Sequence, residues 1–177
     1  QYTVTATYGT LPEERRELKE NDSYSREHYI GYRPTEMLGV YIGKMDKVFG
    51  IRSADHESPA RKISNNGIYD ATHGALVHLN GEKFDLGLQY FIGDQQREVD
   101  ERSSGISSKF EYSISDNIKT GFSFKTEEDE RATGNKYSDK SILAKAGVGK
   151  GSSILFEYGL SDSVLKAGGN QRTSQYI

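Results

Sequence analysis

Asp55-His56-Glu57 is the densest group of metal-capable side chains in the sequence, and a cation would be held by such a group. Adjacent residues rarely close on one ion, however, and no spaced His-x-x-x-His pair or wider histidine cluster supports them, so a solvated loop without a metal is expected. Glu127-Glu128-Asp129-Glu130 could collect divalent cations, yet it lacks the alternating ligands and central glycine of a calcium loop. It too reads as a solvated, charge-rich loop. Hydrolysis would require a nucleophile and a base in a recognisable constellation, and Ser141, Ser153 and His78 carry no motif that supplies one. No catalytic residue, metal or cofactor is therefore assigned, and the chain is expected not to be an enzyme. His73 is the one chemical anomaly, because it lands on the apolar side of an alternating segment. A contact with a partner or a β-bulge would account for it, and a register irregularity is the expected answer.

The elements that position these residues follow from a period of two. From Lys83 to Gly93, Phe84, Leu86, Leu88, Tyr90 and Ile92 share one face while Asp85, Gly87 and Gln89 share the other, which is a strand pattern. The same alternation runs through Gln1 to Tyr8, His28 to Tyr32, Leu38 to Ile42, Gly67 to Leu79, Lys109 to Ile114, Ile118 to Lys125, Ile142 to Val148 and Ile154 to Leu160, and a further strand begins at Ser174. Tight turns are predicted at Arg33-Pro34, at Asn80-Gly81 as a type I′ hairpin, at Asp116-Asn117 and at Lys150-Gly151. Between them come long polar connections: Gly9 to Ser25, with a short helix from Pro12 to Glu20 as the alternative, then Arg52 to Asn66, Asp94 to Ile106, Thr126 to Lys140 and Ser161 to Arg172. After Lys44 the parity fails as large residues move to Met45, Phe49 and Ile51, so a bulge or the end of the embedded part is expected there.

Composition agrees. The chain has 177 residues, 34% of them hydrophobic, and a mean hydropathy of −0.74, which is little apolar matter for a large water-soluble core. Nineteen glycines and twelve tyrosines with only three prolines suit many short strands better than helices. A net charge of −3 with scattered Lys and Arg leaves no basic footprint for nucleic acid. The absence of cysteine excludes disulfides and thiolate metal sites. No apolar run of about 18 residues is present, so no transmembrane helix is expected. With no basic start and apolar core of a signal peptide, the sequence is expected to be mature or a fragment.

Short turns that alternate with long connections define two different ends, the pattern of a transmembrane β-barrel in which turns face the periplasm and loops face outward. One face then carries Leu38, Val40, Ile42, Ala75, Val77, Leu86, Leu88, Ile114, Phe122 and Ile154. The candidates to line a wet lumen are Asp70, Asp85, Gln89, Lys109, Glu111, Lys119, Lys145 and Glu157, whose mixed sign predicts no strong ion selectivity. Tyr8, Tyr69, Tyr90 and Phe124 near the long loops, and Tyr32, Phe84 and Tyr158 near the short turns, are placed like two interfacial girdles.

The run Gly39-Val40-Tyr41-Ile42-Gly43-Lys44-Met45-Asp46-Lys47-Val48-Phe49-Gly50-Ile51-Arg52, followed by Asp55-His56 and Arg61, resembles a segment of porin-like bacterial outer-membrane proteins. There a strand with a Gly-Lys or Gly-Arg pair runs into a Phe-Gly turn and an extracellular loop. The resemblance implies a channel-forming or scaffold barrel and transfers no substrate. The expected fold is all-β, an antiparallel up-and-down barrel of about ten strands within residues 1–177, forming a single domain or part of a larger barrel. The expected function is passive diffusion of small polar solutes or ions in the bacterial outer membrane. The alternative is a structural barrel that scaffolds or sheathes a partner protein or displays adhesive loops. Expected partners are the lipid bilayer, lipopolysaccharide at its outer leaflet, and a protein partner or further copies of the chain.

Overall fold

The computed structural model describes residues 1–10, 23–51, 59–64, 66–67, 70–129, 134–149, 151–165 and 171–177. Ten strands follow one another: β1 (Tyr2–Thr10), β2 (Ser23–Tyr32), β3 (Leu38–Met45), β4 (Thr72–Asn80), β5 (Phe84–Phe91), β6 (Ser103–Ser115), β7 (Ile118–Asp129), β8 (Lys136–Gly147), β9 (Ser153–Val164) and β10 (Gln171–Tyr176). A five-residue helix, α1 (Pro59–Ile63), interrupts the connection between β3 and β4. Each strand pairs antiparallel with the next, so the order in space is the order in sequence. Among the described residues β1 does not pair with β10. The meander is an open sheet with two edges, and the closed barrel expected from the sequence is not reached within it.

Strand parity sorts the side chains as the alternation predicts. Val40 stands opposite Val77, Val77 opposite Leu88, Phe110 opposite Phe122 and Phe122 opposite Ile142, building a continuous apolar face. Away from its end at Lys44 that face is uncovered: Ile42 is 64% exposed and Phe122 54%. The opposite face holds Gln89, Glu111, Ser123, Lys125 and Asp139, and these polar side chains are buried. Phe91 and Leu143, which share its parity, are buried as well, at 0% and 2% exposure. The packing is thus inverted relative to a protein that folds in water, where apolar side chains fill the interior.

Several local expectations are corrected. Asn80 remains in β4 opposite Asp85, and the Gly81 amide donates to the Phe84 carbonyl (2.8 Å), so the turn is centred on Glu82-Lys83. Gly81 is used for space, because the Phe84 ring lies where a β-carbon would stand. The acidic run is no loop: Glu127, Glu128 and Asp129 extend β7 in register with β6, Glu127 and Glu128 also pair with β8, and Glu127 is buried. The alternation Phe124, Thr126, Glu128 against Lys125, Glu127, Asp129 continues the strand through its charges. The connection after β9 is likewise shorter than expected, since β9 runs on to Val164. After Met45 the chain leaves the sheet, which is why parity fails there. The turn at Asp116-Asn117 is where the sequence puts it. The stretch 12–20, Asp55-His56-Glu57, Tyr69, Glu130 and Lys150 lie outside the described residues.

Candidate functional site

Residues 46–51, which open the connection from β3 to β4, cross the polar face of the sheet. An extended chain lying across strands cannot join their ladder, so its backbone donors must find side-chain acceptors. The sheet supplies them from alternate strands. Val48 N–H donates to Gln89 Oε1 on β5 (2.8 Å), Gly50 N–H to Ser123 Oγ on β7 (3.0 Å), and Ile51 N–H to Glu157 Oε2 on β9 (2.8 Å). Gly50 adopts φ +63 and sits so close to the Glu157 carboxylate that a side chain would collide with it.

Charge fixes the same segment further along. Lys47 Nζ lies 2.6 Å from Glu127 Oε2, and Lys125 Nζ reaches Glu127 Oε1 (3.2 Å) and Asp139 Oδ2 (2.9 Å) while donating to the Ser64 carbonyl. Two ammonium groups and two carboxylates, all at most 5% exposed, make a balanced buried tetrad. Burial pushes the Lys47 ammonium below its ordinary pKa, against the pull of Glu127, so desolvation is the larger effect on that side chain. Arg61 in α1 lies 3.7 Å from Asp46, tying the two ends of the crossing together.

Two recesses flank the crossing. One, of about 320 Å³, is bounded by Tyr29, Tyr41, Phe49, His78, Asp85 and Lys109. The other, of about 240 Å³, is bounded by Lys47, Asp70, Asp94, Arg97, Glu101 and Glu127. Among the residues expected to line a lumen, Gln89 and Glu157 hold the crossing segment. Asp85 bonds His78 across the hairpin at 2.7 Å. Glu111 lies between Lys109 (2.7 Å) and Lys145 (2.6 Å), and Lys119 is exposed beside Lys145 in the register. Asp70 is not on a strand, because β4 begins at Thr72; it accepts from the Gly67 amide at 2.7 Å and faces Arg97 in the second recess.

Sequence reading missed Lys47, Ser123, Lys125, Glu127 and Asp139. Continued alternation through 124–129 was the signal that reached three of those positions, since it puts Lys125 and Glu127 on the face of Ser123. Comparisons with protein-family models, with curated proteins and with solved structures return no match.

Proposed function

We propose that this chain forms wall strands of a porin-like barrel in the bacterial outer membrane, through which small polar solutes diffuse passively, and that residues 46–51 and 59–64 narrow the passage. The observation that carries this reading is the inversion of the two faces: the apolar one is bare, and the polar one is enclosed by the chain's own crossing segment. Lipid is the medium in which a bare apolar sheet face costs nothing. Four strands exceed the length the task needs, since β6 has 13 residues and β7, β8 and β9 have 12 each, while a tilted membrane strand needs about 9–11; β3 and β5, with 8 each, and β10, with 6, are shorter. The unpaired edges of β1 and β10 call for further strands, from elsewhere in the polypeptide or from other copies. Lipopolysaccharide would then meet the outer-leaflet part of the apolar face.

Reconstitution into a planar bilayer tests the proposal. Discrete conductance steps with little preference between cations and anions are expected; a chain that stays monodisperse in water without detergent and gives no steps sinks it. Glu111→Gln sharpens the test, because it leaves the ammonium groups of Lys109 and Lys145 without their shared carboxylate. The reversal potential in a salt gradient is expected to move toward anion preference, and an unchanged value would remove these residues from the conduction path.

A further inference from the structure

At the loop end of the sheet, on the parity of Ile30, Ile42 and Ala75, the register sets His28 (β2), Lys44 (β3) and His73 (β4) side by side. Lys44 is fully buried there, because the connection from Ile92 to Arg102 folds over it. Lys44 Nζ contacts Asp94 Oδ2 and Gln96 Oε1, each at 2.8 Å, and Tyr24 donates to Asp94 as well (3.3 Å). The connection starts at a bulge opposite His73: the Ile92 amide donates to the His73 carbonyl, while the His73 amide donates to Gly93, whose φ of +84 suits glycine. The irregularity expected around His73 is therefore on its neighbour strand, and His73 keeps its face.

The histidine rings are joined in a chain whose protons can be assigned in only one way. The Gln95 amide donates to His73 Nδ1 (3.0 Å), so that nitrogen is bare and Nε2 carries the proton. His73 Nε2 lies 3.2 Å from His28 Nε2, which must accept. His28 Nδ1 then donates to Ser25 Oγ (2.8 Å), and Ser25 donates onward to the Thr7 carbonyl (3.3 Å). Both rings are neutral, and every ring nitrogen is used.

We propose that this relay is an acid-released latch that holds residues 95–102 over the sheet at neutral pH and lets them go when either imidazole is protonated. An added proton has two places to go, and both are occupied. On His73 Nδ1 it would confront the Gln95 N–H; on His28 Nε2 it would confront the His73 N–H. Of the charged groups around the pair, Lys44 on β3 repels the new charge, and Arg97 in the connection lies against Asp94. Tyr24 on β2 and Asp94 in the connection remain, and Asp94 Oδ1, 3.7 Å from His73 Nδ1, already accepts from the Gln96 amide. Asp94 stays tethered by Lys44, so the movement begins at Gln95. Because Asp94, Arg97 and Glu101 border the 240 Å³ recess, release widens that opening.

The inference stands apart from the channel reading and is tested without conductance. Nuclear magnetic resonance of the full chain in detergent micelles reads the histidine ¹⁵N shifts and the protection factor of the Gln95 amide, at about pH 7.5 and about pH 5.5, on either side of the ordinary histidine range. At the higher pH, His73 is expected to carry its proton on Nε2 and His28 on Nδ1. At the lower pH Gln95 is expected to lose about tenfold of its protection, the factor set by a released imidazole one unit below its ordinary value. In the double variant His28→Gln/His73→Gln that loss disappears. The opposite tautomers, an undiminished protection factor in acid, or a pH step that survives in the double variant would each overturn the latch. Should the double variant not fold, the tautomers and the acid response of the Gln95 amide in the unaltered chain decide together.

Discussion

Lys125→Met is expected to destabilise the folded chain by about 3–5 kcal/mol, the cost of stranding buried charge. Lys125 is completely buried on β7 and is the only cation that both Asp139 and Glu127 share among the ion pairs of the described residues. Without it Asp139 loses the ammonium it pairs with, while Glu127 keeps Lys47. The lost ammonium also releases the Ser64 carbonyl, the point where the α1 end of the crossing segment is fastened to the sheet. Denaturant titration of protein refolded into lipid vesicles measures the loss. The double variant Lys125→Met/Asp139→Asn removes one charge of each sign and leaves Lys47 with Glu127 as a matched pair, so a substantial part of the stability is expected to return. Equal stability of the single variant and the original would mean that the tetrad does not anchor the segment.

The tetrad also marks the boundary between what the sequence discloses and what it does not. Period-two alternation is local, and it located the strands, their two faces and the turn at Asp116-Asn117. Charge hid the upper part of β7, because four consecutive acidic residues look solvated until Lys47 and Lys125 are placed beside them. Those partners come from different stretches of chain: Lys47 is 80 residues from Glu127, and Ile51 is 106 residues from the Glu157 that receives its amide. No pattern within a strand encodes such pairings. Gln89, Glu111 and Glu157 were legible as polar-face residues by parity, while their roles as anchors or bridges depend on where the 46–51 crossing falls. His73 is similar, since its partner His28 is 45 residues away on a strand that is not its neighbour.

Ile142→Arg is expected to block insertion into bilayers while doing little to a sheet held in water. Ile142 lies near the middle of β8, 58% exposed, between Phe122 on β7 and Tyr158 on β9. At the midplane of a bilayer an arginine on the lipid face costs about 2–4 kcal/mol, enough to reduce the inserted fraction severalfold or more. Facing water, the same exchange at an exposed position stays within about 0.5 kcal/mol. The adjacent residue separates the two faces: Leu143 points the other way, is 2% exposed, and would cost about 2–5 kcal/mol on truncation to alanine in either medium through the cavity it leaves. Heat-modifiable migration and protease protection after mixing with lipid vesicles score insertion for both variants. A membrane wall requires that Ile142→Arg fail to insert while Leu143→Ala inserts with a lowered unfolding midpoint. If Ile142→Arg inserts as well as the original chain, the bare apolar face is not a lipid face; its side chains would then have to be covered by protein.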